Sequence, residues 1–558
     1  MTRPFPPPSA FGAPSRYTDW RPEQLKALFQ VSDSEKIYRQ VLAPCGSGKT
    51  LLAQMLIAMH GGRGLILTEL LGLMDQHIED ARGSGYKIAD LRGAGNYPCP
   101  VLQRGGRYAH LADSRRGTNC DAGPCRSGLP CHLRTNGCPY YDAEKRAREA
   151  DIVVSNYAKW LVTDEDSESL GKFDWLILDE VHQVPRSVAN AMRIDINLEQ
   201  IGELLSIRTP DPRRSPIRDW YEWSQLVVGR SVDRHNQLKE ELKLARETGT
   251  VDRYDMDRLA GLQHVVRTAD KLQKLRSGEW IVTQPASRSI RFEVLWPREY
   301  CDKLLFRGIP NVVGLSATAP RKTFNYLGLD DDEFDFFELP SSFPIANRPV
   351  YVIPFGYVQW NMTADSIRKW INGIDTLFGK HGDGRKVLVD TISYKWQNTL
   401  LENSRYSHRM IANRDSKDTA RAVEYFRSPE SPDDSILVGP SFSGGYNFPG
   451  RACELAIACK LHFPDMRDPV TKARCDSDPT FKPYEMMQRL QQFAGRLVRS
   501  RRDRGMTVIA DGHAMRFFDP AEGNRRYAAK YFLDAVQVVR SGLLPKPLPK
   551  LTDEEIGE

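Results

Sequence analysis

Short apolar runs alternate with helical patterns at the start of the chain. The run KIYRQVL (36–42) precedes a glycine-containing loop, the apolar helical pattern TLLAQMLIAMHGG (50–62) and a second run, GLILTEL (64–70). The order strand, loop, helix, strand predicts a parallel sheet with crossover helices. Two further buried-strand patterns, DIVVSNYAKWL (151–161) and WLILDEVHQV (175–184), extend the same predicted α/β core.

A second set of apolar runs begins near Arg348 and predicts another α/β domain. Short runs such as RPVYVIPF, RKVLVDTISY, ELAIACKL and GMTVIADG are separated by helical segments. Between the two sets, residues 93–141 are rich in Gly, Arg and Cys and cannot build an apolar core unaided. Residues 186–300 are helical and charged. The pattern therefore predicts two α/β domains with two insertions in the first.

The predicted domain boundaries follow these changes of pattern. They are a flexible N-terminal segment (1–20), a first α/β domain (21–185 with 301–345), a cysteine-rich module (93–141) and a helical domain (186–300) inserted in it, a second α/β domain (346–543) and a disordered tail (544–558).

Composition is that of a globular protein. The 558 residues are 41% hydrophobic and 27% charged, and no run is apolar enough to span a bilayer. The N-terminus lacks the apolar stretch of a signal peptide. We therefore expect a soluble protein of the cytoplasm or another intracellular compartment, with no membrane partner. A net charge of +6 permits a nucleic-acid partner without requiring one.

The loop VLAPCGSGKT (41–50) has the composition of a phosphate cradle. Backbone N–H groups of such a turn bind phosphate oxygens, the lysine reaches the β and γ phosphates, and the hydroxyl coordinates Mg²⁺. These roles fall to Gly46, Ser47, Gly48, Lys49 and Thr50. A turn before a helix is the alternative, and Ala43 replaces the usual first glycine.

Acids and arginines follow at two later points of the chain. In LILDEVH, Asp179 can hold Mg²⁺ and Glu180 can orient and deprotonate the attacking water. In QQFAGRLVR (491–499), Arg496 and Arg499 stand three apart, so that both could neutralise charge on a transferring phosphate. Alternatively, Arg496 and Arg499 could be solvent-exposed surface residues, which the sequence pattern does not exclude.

In this order the segments resemble the motifs of superfamily 2 helicases. APCGSGKT resembles the A-x-x-G-x-G-K-T form of motif I, which accounts for Ala43; DEVH, SAT (316–318) and the run from Gln492 to Arg499 resemble motifs II, III and VI. The resemblance implies two RecA-like P-loop domains that close on ATP and Mg²⁺. The resemblance to motif VI also implies that Gln492 faces the phosphates of ATP.

The same resemblance suggests two further contacts. Gln24 of RPEQ stands where such families contact adenine, although a surface glutamine explains the letters equally well. His182 would link the Mg²⁺ site to Thr318, unless it bonds only to its own helix.

Five of the ten cysteines fall within about forty residues. They are Cys99, Cys120, Cys125, Cys131 and Cys138, and the last four are separated by four, five and six residues. Clustered thiolates in an intracellular protein indicate a metal site, and this spacing suits either zinc or an iron-sulfur cluster.

Flanking segments narrow the resemblance to the iron-sulfur helicases typified by XPD and DinG. NYPC, which ends at Cys99, is similar to their first cluster ligand, and CPYY, which begins at Cys138, to their last. The resemblance implies a [4Fe–4S] cluster held by these two and by two of the other three, and a helical arch over residues 186–300. In motif V this chain has Gly444, Gly445, Tyr446 and Asn447 where the family has two acids, so coupling between ATP and DNA is expected to differ.

The implied function is that of a monomeric, ATP-dependent DNA helicase moving 5′ to 3′ on single-stranded and forked DNA. Bases could stack on Tyr97, Trp220, Tyr221 and Trp223, although core packing explains most such aromatics. The alternatives are an RNA helicase, an ATPase that does not unwind, a zinc protein, and a scaffold that keeps a degenerate motor fold.

Overall fold

The structure is a computed structural model of the chain. It describes residues 5–550 with the exception of 104, 107, 110–116, 128, 164–169, 212–213, 249, 251, 275–278, 416, 441, 443–445 and 540–543. Gly444, Gly445 and residues 551–558 therefore lie outside the described residues.

The first sheet has seven strands, all parallel. Numbered along the chain, they are β1 (Tyr38–Leu42), β2 (Gly64–Thr68), β3 (Ile88–Leu91), β4 (Ile152–Asn156), β5 (Trp175–Asp179), β9 (Asn311–Ser316) and β10 (Phe334–Glu338). Their spatial order is β10-β1-β9-β5-β2-β4-β3. Every residue of β2 and β5 is buried, as expected for parallel strands covered by helices on both faces. Because β1, β9 and β5 are neighbours, their carboxyl ends meet at one edge.

Eight helices surround or adjoin this sheet. They are α1 (Pro22–Asp33), α2 (Lys49–His60), α3 (Leu71–Asp80), α4 (Pro139–Glu149), α5 (Tyr157–Leu161), α6 (Val184–Met192), α11 (Arg298–Cys301) and α12 (Lys322–Asn325).

A second parallel sheet of seven strands confirms the prediction of two α/β domains. Its strands are β11 (Val350–Val352), β12 (Val387–Asp390), β13 (Met410–Ala412), β14 (Ile436–Gly439), β15 (Leu455–Ala458), β16 (Met506–Ile509) and β17 (Val536–Val538), in the order β13-β14-β12-β15-β16-β11-β17. Its helices are α13 (Ala364–His381), α14 (Tyr394–Asn403), α15 (Thr419–Arg427), α16 (Pro469–Ser477), α17 (Phe481–Ala494), α18 (His513–Phe517) and α19 (Lys530–Leu533).

The second insertion contains a small sheet in addition to helices. Helices α7 (Leu198–Leu205), α8 (Ile217–Glu241), α9 (Lys243–Thr248) and α10 (Arg253–Lys274) accompany strands β6 (Ile194–Asn197), β7 (Trp280–Ala286) and β8 (Ser289–Val294). The strands form an antiparallel sheet in the order β6-β8-β7. This sheet was missed in the sequence because its short strands lie next to long helical patterns.

The chain ends pack more than the sequence predicted. Residues 5–20 were expected to be flexible, but the described part lies on the first domain: Phe5 meets Phe29 with ring centroids 5.0 Å apart, and Gly85 N donates to Gly12 O at 2.8 Å. In the predicted disordered tail, Lys380 Nζ donates to Leu544 O at 3.1 Å. Apolar and backbone contacts hold both segments despite their proline-rich composition.

Aromatic side chains also join the two domains away from the strand edges. Trp296 and Tyr326 stack with centroids 5.1 Å apart and planes 4° from parallel, and Phe481, at the start of α17, packs edge-on against both. Tyr326 Oη donates to Asp478 Oδ2 at 3.0 Å. The first turn of α17 is therefore fastened to the first domain, and we call these four residues the aromatic joint.

Candidate active site

The glycine loop between β1 and α2 requires its glycines. Gly46 and Gly48 have φ of 72° and 80°, in the left-handed region that favours glycine. A Cβ on Gly46 would lie closer than 3.0 Å to the carbonyl oxygen of Arg499 and to the Phe343 ring, and one on Gly48 would meet the Gln24 amide. The loop is therefore packed between its own domain and the second one.

Gln24 is buried against this loop, only 4% exposed. Its Nε2 donates to Gly48 O at 3.2 Å and its Oε1 accepts from Arg21 N at 2.9 Å. Arg21 itself donates to Gly46 O. The alternative of a surface glutamine is thus excluded. The Arg21 contact was not predicted from the sequence.

Lys49 and Thr50 open α2, at the carboxyl edge of the sheet. Lys49 Nζ donates to Ala43 O at 3.3 Å, and Thr50 Oγ1 accepts from Gln76 Nε2 at 3.2 Å. Among the described residues, the buried hydroxyl of Ser47 has no hydrogen-bond partner. Ser47, Lys49 and Thr50 therefore lie together at the end of the glycine loop and the start of α2.

Asp179 ends β5 and is 5% exposed. Its Oδ2 lies 3.2 Å from His77 Nε2, and its Oδ1 accepts from Glu180 N at 3.0 Å. His77 comes from α3 and is itself 1% exposed. Sequence reasoning missed His77 because nothing in the pattern of α3 distinguishes it from a core histidine.

Glu180 lies between charges from both domains. Burial would raise the pKa of its carboxyl, but the hydrogen bond from His182 and the positive charges of Lys49 and Arg499 outweigh burial and lower the pKa to about 2. Its backbone is left-handed, with φ of 51°, which costs an L residue roughly 1–2 kcal/mol. The Glu180 carboxyl is therefore ionised at neutral pH.

His182 connects motif II to motif III, but through a different residue from the predicted one. Its Nδ1 lies 2.9 Å from Ser316 Oγ and 3.4 Å from Glu180 Oε2. The predicted partner, Thr318, has a buried hydroxyl with no partner among the described residues. Ser316 therefore makes the contact between motifs II and III. It can do so because it ends β9, next to β5, and motif II follows β5.

Arg496 and Arg499 follow α17 and bring the second domain to the glycine loop. Arg496 Nη1 donates to Tyr446 O at 2.9 Å, so motif VI is bonded to motif V. Burial lowers the pKa of Arg496, and the charge of Arg499 adds to that effect. Gln492 is half-buried, whereas its neighbour Gln491 is buried and accepts from Ala529 N at 2.7 Å.

Cys45, which the sequence left without a role, lies at the same junction. Its Sγ is 3.1 Å from the position that a Cβ on Gly495 would take. Tyr531 from the second domain is half-buried and donates to Ala317 O of motif III at 3.0 Å. Burial, followed by the charge of Cys45, raises the pKa of Tyr531. Small size at position 45 thus permits close contact between the domains.

All five clustered cysteines line one cavity, together with Val101, Leu133, Tyr140 and Tyr141 among others. Cys99, Cys120 and Cys138 are buried, whereas Cys125 and Cys131 are half-buried. The Sγ atoms of Cys120 and Cys138 are 3.9 Å apart, and Cys138 precedes the first residue of α4. Folding therefore brings thiols from residues 99–138 to one place.

The thiols affect one another in this cavity. The hydrogen bond from Cys120 lowers the pKa of Cys99 to about 7, and the same contact, together with burial, raises the pKa of Cys120. Within the part of the chain that the structure describes, no three His, Cys, Asp or Glu side chains form a ready-made metal site.

The described helices also include none long and apolar enough to cross a membrane.

Comparison with known proteins agrees with this geometry. Residues 384–520 match the family model of the helicase C-terminal domain. A probable ATP-dependent helicase of Methanocaldococcus jannaschii is 22% identical over 96% of this chain and 98% of its own length. The ATP-dependent DNA helicase DinG of Salmonella choleraesuis is 24% identical over 68% of this chain and 66% of its own length.

Solved structures show the same fold. An XPD helicase superposes with a TM-score of 0.59 at 15% identity, covering 93% of this chain and all of that one. Xpd4 of S. tokodaii superposes with a TM-score of 0.53 at 12% identity. The prediction of two RecA-like domains is thereby confirmed. With the helicase motifs in order along the chain, these findings support its similarity to the ATP-dependent helicases of the XPD/DinG type.

Proposed function

We propose that this chain uses ATP hydrolysis to move 5′ to 3′ along single-stranded DNA and to unwind duplexes at forks. One observation carries the proposal: Glu180 experiences the positive charges of Lys49 from the first domain and Arg499 from the second. Phosphoryl transfer needs cations around the moving phosphate and an acid beside the water. Closure of the domains on ATP brings these groups together.

The glycine loop and the strand ends bind the nucleotide. Backbone N–H groups of residues 46–48 take the phosphates, and Lys49 reaches the β and γ phosphates. Thr50 and Asp179 supply the oxygen ligands that Mg²⁺ prefers, so this donor set fits the ion. Bound Mg²⁺ would neutralise phosphate charge. We keep Gln24, which is buried against Gly48, as the proposed adenine contact on the strength of the motif resemblance.

Hydrolysis falls to Glu180, Arg496, Arg499 and Gln492. With a pKa of about 2, Glu180 is a weak proton acceptor, which favours an orienting role toward the attacking water over full deprotonation. The two arginines neutralise charge that develops on the γ-phosphate. Gln492, half-buried ahead of them, assists from the same segment.

The five-cysteine cavity would hold a [4Fe–4S] cluster. Four thiolates are sufficient, and we assign Cys99, Cys138 and two of Cys120, Cys125 and Cys131. The donor set suits such a group because all five thiols line one cavity, and the Sγ atoms of Cys120 and Cys138 lie 3.9 Å apart. A bound cluster would cross-link the module and stabilise its fold.

The choice of DNA rests on the DinG relative, which is named an ATP-dependent DNA helicase. Polarity and fork unwinding come from the XPD/DinG resemblance. We further propose that the chain acts as a monomer within a DNA-containing cellular compartment.

Unwinding of duplexes with 5′ or 3′ single-stranded overhangs tests the proposal. We expect activity only with the 5′ overhang, ATP turnover stimulated by single-stranded DNA, and loss of both in Lys49→Ala. Stimulation by RNA alone, or turnover without strand separation, would replace DNA unwinding by one of the alternatives. Equal ATP turnover in wild type and Lys49→Ala would refute the motor itself.

Anaerobic purification tests the cluster separately. We expect a brown protein with iron and sulfide in near-equal amounts. A colourless protein with stoichiometric zinc would overturn the assignment.

A further inference from the structure

Three aromatic side chains are exposed at the carboxyl edge of the second sheet. Trp360 and Tyr357, in the loop after β11, are 75% and 62% exposed, and Tyr394, at the start of α14, is 37% exposed. By contrast, the tryptophans that the sequence suggested for stacking, Trp220 and Trp223, are buried in the core. Exposed aromatics grouped at one edge indicate a binding surface.

The loop that carries Tyr357 and Trp360 is fixed to the sheet. Gly512 N donates to Gly356 O at 2.7 Å, and Phe355 N donates to Ala510 O at 3.2 Å, so the loop follows the end of β16. Lys395 Nζ then donates to Trp360 O at 2.6 Å. The indole is thus held in solvent by an ordered backbone, which reduces the entropy lost when a ligand binds.

Basic groups alternate with the aromatic rings. Lys395 Nζ lies 3.9 Å from the Trp360 ring centroid. Tyr357 and Phe463 both pack edge-on against His513, with ring centroids 5.1 and 5.4 Å away. We call these residues, with Tyr394, the aromatic strip. With three quarters of its surface exposed, the Trp360 indole retains room for a further planar group.

The strip carries positive charge toward solvent. Lys460 follows β15 and is half-buried; burial lowers its pKa, and the charge of Lys395 adds to that effect. Lys482 Nζ lies 5.1 Å from the Phe463 ring centroid. Asp511, whose charge acts on Lys460, is fully buried, is bonded to His513 Nδ1 at 2.7 Å and accepts from Leu461 N. Asp465, two residues after Phe463, is exposed but paired with Arg467 at 2.8 Å. The surface therefore suits a ligand that is both planar and anionic.

We propose that the aromatic strip binds single-stranded DNA, with a base stacked on Trp360 and the adjoining phosphates against Lys395 and Lys460. This deepens the proposed function and rests on it. Stacking tolerates any base, as a motor that tracks along a strand requires. The location agrees with the rule that open parallel sheets bind ligands at the carboxyl ends of their strands.

The test compares Trp360→Ala with wild type on two probes of equal length, oligo(dT) and an oligonucleotide whose central residues are abasic. We expect oligo(dT) to bind about 5- to 150-fold more weakly to the variant, equivalent to about 1–3 kcal/mol per stacked base. The abasic probe should lose much less, since it has no base to stack. Trp360→Phe should restore most of the oligo(dT) affinity.

Tyr425→Ala is the matched control, because Tyr425 is an exposed aromatic of the same domain, 43% exposed and outside the strip. It should bind both probes like wild type. Unchanged oligo(dT) affinity in Trp360→Ala, or an equal loss on both probes, would overturn the stacking site. If wild type itself neither binds oligo(dT) nor shows DNA-stimulated ATP turnover, the proposed function has failed instead.

Discussion

Replacing Gly46 by alanine should slow ATP turnover strongly by holding the two domains apart. The added Cβ would lie closer than 3.0 Å to Arg499 O and the Phe343 ring, whereas ordinary contact begins at 3.4 Å. The second domain must therefore retreat by several tenths of an ångström to about 1 Å. A displacement near 1 Å costs on the order of 100-fold in rate when catalytic groups lie on both sides.

Gly61→Ala separates this clash from backbone strain. Gly61 also has φ of 72°, but nothing lies within 4 Å of its Cβ position. Both variants should lose roughly 1–3 kcal/mol of stability, the cost of an L residue in a sparsely populated conformation with positive φ. Only Gly46→Ala should lose most of its turnover.

The assay is steady-state ATP hydrolysis at saturating single-stranded DNA, with thermal unfolding measured in parallel. We expect kcat of Gly46→Ala to fall on the order of 100-fold below that of Gly61→Ala, while their melting temperatures stay close. Equal kcat in the two variants would refute the reasoning, since the contact with Arg499 would then not matter for closure.

Three further variants test other parts of the site. His77→Ala removes the partner of Asp179 and should raise the Mg²⁺ concentration for half-maximal turnover roughly 10-fold; an unchanged Mg²⁺ dependence would show that His77 only fills the core. Because the pKa of Glu180 is lowered to about 2, its charged interactions persist above its ordinary pKa and are lost only as pH falls toward 2. Glu180→Gln should therefore lower kcat evenly between about pH 5 and 9, and a shifted acid limb in the kcat profile would contradict this. Cys138→Ser should lose the brown colour and unwinding but retain part of the ATP turnover, with the half-buried Cys475→Ser unaffected. Complete loss of turnover in folded Cys138→Ser would count against a separate role for the module.

The features that could be predicted from the sequence are those determined by residues close together along the chain. The glycine loop and the ends of β1 and β5 were readable because a parallel sheet places such loops at one edge. The roles of Ser316 and His77 were not, because each depends on which strand or helix lies beside β5. The burial of Gln24 could not be predicted either, because it depends on packing against the glycine loop.

Exposure was the least predictable property. Nothing in the local sequence distinguishes Trp220 from Trp360, yet the side chain of Trp220 is 2% exposed and that of Trp360 is 75% exposed. Proline-rich composition likewise suggested free ends, whereas Phe5 and Leu544 pack on their domains. Such outcomes are decided by long-range packing, which no local pattern contains.

The aromatic joint fixes one end of α17, so that a tilt of the helix displaces mainly its other end. The helix has 14 residues, so its last turn lies about 20 Å from the Phe481 end, at 1.5 Å per residue. If that end stays fastened to Trp296 and Tyr326, a tilt of about 10° moves the far end by about 3–4 Å. Arg496 and Arg499 follow that end, so a small rotation about a fixed pivot would carry them out of hydrogen-bonding reach of the phosphates while the domains remain attached.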